Sequence, residues 1–214
     1  GVRVTKQFDN DIPHQRIVNF GEACTRLMNE AKYTWYLRLD SDERMSPEAI
    51  EEIRAIVTDP HPKYRVYRTP RAYMWRGKVI HDSITYPNLH IRFFNRDAAT
   101  TWTKVSHERI QIKDDEPIGV MKGAMLVPIA DTYEEWDRSH FKRALNWDRL
   151  HFEDSITFSR WVYAVFHTAA TLAVFSVRLF RVYLISKGNK LPIRYELWRF
   201  KYLIATTFLA TWIM

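Results

Sequence analysis

Apolar residues change their spacing twice between Pro13 and Val57, and that succession restricts the chain to an α/β fold. Ile17, Phe20, Cys24, Leu27, Met28 and Ala31 recur every three or four residues, which predicts an amphipathic helix over residues 14–31. In "YTWYLRL", Trp35, Leu37 and Leu39 alternate with Tyr36 and Arg38, the pattern of a strand packed mainly on one face. With the β-branched "VRVT" before the helix, the order is strand, helix, strand. This is a βαβ unit whose strands should run parallel with a right-handed crossover. Ser46 followed by Pro47 then starts a second helix, a capping hydroxyl before proline at the first helical position. Its expected buried stripe is Ile50, Ile53 and Val57, and "TDPHP" ends it. "YRVYRTP" and "NLHIRFF" read as strands, the latter with Leu89, Ile91 and Phe93 on one side and His90 and Arg92 on the other. The chain therefore divides into an α/β domain over 1–127 and a helical segment over 128–214. Thr132 and Glu135 form a capping box where that segment begins.

Between the second strand and the second helix, three of four residues are acidic: Asp40, Asp42 and Glu43. Ligands of parallel α/β sheets sit beyond the carboxyl ends of the strands, which is where this turn falls. Two carboxylates one residue apart can converge on a hard cation, Mg²⁺ or Mn²⁺, that holds a substrate's phosphates. The alternative is a solvated loop whose charge favours the next helix N-terminus. Arg92 meets either a phosphate or a structural carboxylate. Arg71 and Arg76 are further anion contacts.

The chain has 32 Lys and Arg against 25 Asp and Glu, a net charge of +7, which favours an anionic partner. Seven of the basic residues fall between Arg178 and Lys201 with one acid, Glu196, beside strongly apolar stretches. That arrangement fits a membrane surface better than nucleic acid. Trp161–Val177 carries no formal charge, but stops just short of the roughly 20 residues a spanning helix needs. These helices are expected to lie in, or dip into, an anionic cytoplasmic leaflet. The alternatives are that they form core, or bury themselves against a partner chain. The single cysteine, Cys24, excludes an intramolecular disulfide and suits a reduced compartment.

"WYLRLDSDERMSPEAIEEI" resembles the segment of family 2-type glycosyltransferases in which a strand delivers an Asp-x-Asp motif. The similarity is to the bacterial branch that decorates lipopolysaccharide cores and other surface glycans. "NLHIRFFNRD" followed by "WTKVSHERI" is similar to that branch's downstream pair, an Arg-containing strand and a His-Glu segment. The resemblance covers about residues 1–150. It implies a partial GT-A fold, with a Rossmann-like mixed sheet. The implied reaction moves a sugar from a nucleotide-diphosphate donor to a glycan or lipid-linked acceptor at the cytoplasmic face of a membrane, with Mn²⁺ or Mg²⁺. By that resemblance Asp42 is the direct metal ligand, and Asp40 contacts the ribose or the metal through water. Glu108 is the base for an inverting transfer, and His107 binds the metal or phosphate. Trp75, stacking on a sugar, and Arg76 belong to the acceptor site, with a core aromatic as the plainer role for Trp75. The family also implies a nucleotide-binding strand and acidic loop before residue 1, and a histidine where this chain reads "LVPIADTYEEW". Those departures leave open a non-catalytic transferase-like module. Another metal-dependent phosphoryl-transfer enzyme is a further alternative, because two carboxylates and a cation suit that chemistry too.

Overall fold

Adjacent strand residues in the N-terminal half are buried in two different cores, one on each face of a sheet. A computed structural model of the chain describes residues 19–103, 109–141 and 157–212. In chain order the elements are α1 (Phe20–Glu30), β1 (Trp35–Leu37), β2 (Arg44–Met45), α2 (Pro47–Thr58), β3 (Val66–Trp75), β4 (Lys78–Ile80) and β5 (Asn88–Asn95). Next come β6 (Ala99–Thr103), β7 (Arg109–Ile112), β8 (Ile118–Val120), β9 (Met125–Pro128), α3 (Tyr133–Trp136), α4 (Phe158–Phe180) and α5 (Ile193–Trp212). The result is a mixed α/β fold followed by helices. Its larger sheet runs β1-β5-β3-β9-β2, with β4 and β8 also on β3, and β6 and β7 form a separate ribbon. The sheet is mixed, since β1 pairs antiparallel with β5 whereas β8 pairs parallel with β3. Two compact units result: Gly1–Pro70 with Leu89–Met125, and Arg71–Asn88 with Leu126–Met214. Residues 71–88, which the sequence reading assigns to the first domain, thus group with the C-terminal residues.

In the first unit, α1 buries Cys24 and Met28 with Val66, Phe94 and Trp102. The other face packs Ala49, Ile53 and Ile56 of α2 with Tyr67 and Phe93. Helices on both faces explain why β1 is not the one-faced strand its alternation suggests. Trp35 stacks on Phe93 with ring centroids 4.8 Å apart, while Tyr36 lies against Phe94 in the opposite core. Leu37 and Leu39 are exposed. Residues 2–5, read as the parallel partner strand, and the first residues of the expected 14–31 helix lie outside the described residues. Arg96 closes the far end of α1, its Nη1 donating to the carbonyls of Ala31 at 2.7 Å and Met28 at 3.4 Å, the latter also accepting from Ala31 N at 3.3 Å.

Helix α2 starts as predicted, with Ser46 Oγ accepting from Ala49 N at 3.2 Å and Pro47 behind it. Its buried stripe, however, is turned by one position. Ala49 is fully buried with Ile53 and Ile56 packed beside it, while Ile50 and Val57 are exposed.

In the second unit, β3 and β4 form a hairpin closed by Arg76 and Gly77, with φ of 48° and 74°. Both central residues being left-handed matches the twist of the flanking strands. The core here is Ile80, Ile129, Trp136, Leu191, Tyr195 and Trp198. The capping box is present, Thr132 Oγ1 accepting from Glu135 N at 3.3 Å. Helix α4 continues through a π-type turn, Arg181–Ile185, so that Trp161–Ile185 makes a 25-residue apolar run. Arg178 and Arg181 stay within the helix rather than interrupting it, and by length and composition the run is enough to cross a membrane.

Glu196, the one acid of α5, is 2 % exposed and accepts from Ser83 Oγ at 3.2 Å. Burial pushes its carboxyl above the usual range, with the Ser83 hydrogen bond acting the other way. The folded chain therefore holds this proton more tightly than the unfolded chain. Its contribution to stability is complete below the unfolded value of about 4.3 and is lost as pH rises through the folded value. Glu196→Gln is accordingly expected to match the wild type in acid and become the more stable protein as pH rises towards neutral. Urea denaturation at several pH values reads this directly. Parallel profiles for the two proteins would show that Glu196 does not titrate as described.

Candidate functional site

The acidic turn follows from the way β1 leaves the sheet. The pairing of Leu37 with Phe93 is continued by Arg38 N donating to Arg92 O at 2.9 Å, after which the chain turns. Glu43 N donates to Asp40 O at 3.0 Å, and Asp40 N donates back to Glu43 Oε2 at 3.1 Å. Ser41 and Asp42 are left at the exposed tip of this closed four-residue turn.

Two arginines hold the turn from below. Arg92 Nη2 lies 3.4 Å from Asp40 Oδ2 and 3.5 Å from Glu43 Oε1. Arg38 Nη2 lies 3.4 Å from Asp40 Oδ1, and its guanidinium sits over the Trp102 ring at 4.9 Å. The Glu43 side chain is 1 % exposed and that of Asp40 is 46 % exposed. Arg92 is buried rather than on the open polar face its alternation suggests, and its Nη1 has no hydrogen-bond partner. Asp42 takes part in none of this, so it is the one carboxylate of the turn left uncommitted.

Among the described residues no group of three or more His, Cys, Asp or Glu is arranged to hold a metal ion. A cation at the turn would rest on Asp42, helped by Asp40 only in competition with two guanidiniums. That remains compatible with Mg²⁺, which is commonly bound through one or two carboxylates plus substrate phosphates.

The other expected site residues separate. His107 and Glu108 lie outside the described residues, in the stretch of chain between β6 and β7. Trp75 and Arg76 belong to the second unit. There Trp75 packs edge-on to Tyr195 with centroids 6.0 Å apart, the core-aromatic alternative. Arg76 covers the Trp75 ring at 4.7 Å and donates to Asp131 O at 3.2 Å. Arg71 is half-buried in β3. Sequence reasoning gave no role to Arg38 or to the buried Glu43. The available signal was spacing, with Arg38 two residues before Asp40 on a strand end and Glu43 three after it across a turn. Comparison with protein-family models yields no match, and comparison with curated proteins yields none.

Proposed function

We propose that this chain is a divalent-cation-dependent glycosyltransferase of the GT-A type, acting at a membrane surface on a glycan or lipid-linked acceptor. The observation that carries the reading is the exposed, uncommitted Asp42 on a turn that Arg38 and Arg92 hold rigid through Asp40 and Glu43. A rigid turn presenting one free carboxylate suits a cation shared with a diphosphate. When bound, that cation supplies charge neutralisation at the leaving diphosphate. The chain's own residues do the rest. Asp42 holds the ion, Asp40 meets the ribose or the ion through water, and Arg92 holds the turn that faces the diphosphate. Glu108 accepts the acceptor hydroxyl's proton as the new oxygen–carbon bond forms and the carbon–phosphate-oxygen bond breaks. His107 serves the phosphate or the ion.

A second reading, a non-catalytic transferase-like module, is favoured by one fact: two guanidiniums already occupy both oxygens of Asp40. Titration calorimetry of the full chain with nucleoside diphosphates, with and without Mn²⁺, separates them. The transferase reading expects Mn²⁺-dependent binding that Asp42→Ala abolishes while leaving thermal stability unchanged, since Asp42 holds nothing in the fold. Absence of binding leaves the module. Phosphoester hydrolysis without a sugar acceptor would instead mark a phosphoryl-transfer enzyme.

A further inference from the structure

The α4–α5 hairpin has an outer surface that nothing in the described chain covers. Only 6 % of the most apolar window in Trp161–Ile185 is buried. Tyr163, Phe166, Val174, Val177 and Leu184 are each at least half exposed and recur at helical spacing along one side. At 1.5 Å per residue that stripe is about 32 Å long. Helix α5 adds Ile193, Leu197, Ile204 and Phe208 at a similar period. The two helices hold each other through Thr168 and Thr207, whose hydroxyls are 2.8 Å apart, and through Phe175 against Phe200.

Charge identifies the occupant. Residues 157–212 carry eight Lys or Arg and one acid, Glu196, which is buried. Arg181, Lys187 and Arg194 are exposed around the connection between the helices, at one end of the apolar stripe. A second copy would bring the same cations and no exposed acid from these helices to meet them. An anionic lipid surface supplies both an apolar layer and negative headgroups.

The ends of α4 decide its orientation. Its C-terminal end is fastened to the connection between β4 and β5, Arg178 Nη1 donating to Ile84 O at 3.0 Å and Ser186 bonding to Asp82. Its N-terminal end follows residues 142–156, six of which are charged: Lys142, Arg143, Asp148, Arg149, Glu153 and Asp154. Were α4 to cross a bilayer, this segment would have to return through hydrocarbon to rejoin α3, and buried charges there are costly.

We propose that α4 and α5 lie in the plane of an anionic membrane interface, with the Tyr163–Leu184 side immersed, although α4 is long enough to cross. The inference rests on the membrane part of the reading above and not on its chemistry. The test is flotation of the full chain with vesicles of phosphatidylcholine alone and of phosphatidylcholine with phosphatidylglycerol, together with depth quenching. For the latter, a fluorophore is placed on Phe166→Cys or Val177→Cys in a Cys24→Ala background. The expected result is binding to the anionic vesicles, weakened by salt, with both positions at the same shallow depth. Phe166→Glu combined with Val177→Glu, both at exposed sites, should lower partitioning about tenfold or more. Unequal depths, with one label near the bilayer centre, would overturn the in-plane arrangement in favour of a span. Failure to float overturns it as well, and self-association lost in the same double variant would then assign the stripe to a second copy. Because neither readout involves nucleotide or sugar, both remain interpretable if the diphosphate-binding test fails.

Discussion

Arg92→Met is expected to destabilise the first unit by about 3–5 kcal/mol, the cost of breaking a buried ion pair from one side. Arg92 Nη2 lies 3.5 Å from Oε1 of Glu43, whose side chain is 1 % exposed. Its other oxygen, Oε2, accepts from Asp40 N, so the carboxylate cannot simply turn out to water without opening the turn. Contacts of 3.4–3.5 Å are long for directional hydrogen bonds, so the stabilisation is mainly charge against charge in a poorly solvated place. Removing the charge on both sides should therefore recover most of the loss. In urea denaturation, Arg92→Met combined with Glu43→Gln is expected to lie closer to the wild type than Arg92→Met alone. If the single substitution shifts stability by less than about 1 kcal/mol, the pair behaves as an ordinary surface ion pair and the turn is not held as described. The same series bears on function, because a turn loosened by Arg92→Met no longer presents Asp42 in one position.

What could be read from the chain beforehand was local. The start of α2 at Ser46–Pro47 and the capping box at Thr132 depend on two to four consecutive residues, and both are present. The errors concern partners that are distant in sequence. Alternation in "YTWYLRL" implies one buried face, but Trp35 and Tyr36 both find cores because α1 and α2 cover opposite sides of the sheet. Arg92 reads as exposed by the same alternation, and is buried because its carboxylate partners arrive from residues 40 and 43. No pattern within "NLHIRFF" records that. The acidic turn was legible as a cluster, yet its division of labour was not. Which carboxylates are tethered and which one is free depends on where two guanidiniums point, a fact of three dimensions.

The rotated stripe of α2 leads to the second large effect, expected for Gly123→Ala. A Cβ built on Gly123 would lie 2.3 Å from both Cα and N of Ala49, which ordinary contacts do not allow. The obstruction is helix backbone, not the end of a flexible side chain. It explains why Ala49 faces inward and Ile50 does not: the chain at Gly123 comes too close for anything larger than alanine opposite it. The helix start is also stitched to this segment. Ser46 N donates to Ala124 O at 2.9 Å, Ala124 N to Ser46 Oγ at 3.3 Å, and Gly123 N to Glu52 Oε2 at 3.0 Å. To admit one methyl group, α2 must move outward by about an ångström, straining all three. Overpacking a tight site costs about 1–3 kcal/mol, and loss of the capping geometry at Ser46 adds about 1 kcal/mol more. A companion substitution tests the cause. Ala49→Gly removes a side chain but leaves the backbone atoms that clash, so in the Gly123→Ala background it should restore little. It also costs about 1 kcal/mol of helix propensity by itself. Full recovery in the double variant would mean that the two side chains alone are in conflict, and that backbone approach does not set the face α2 buries.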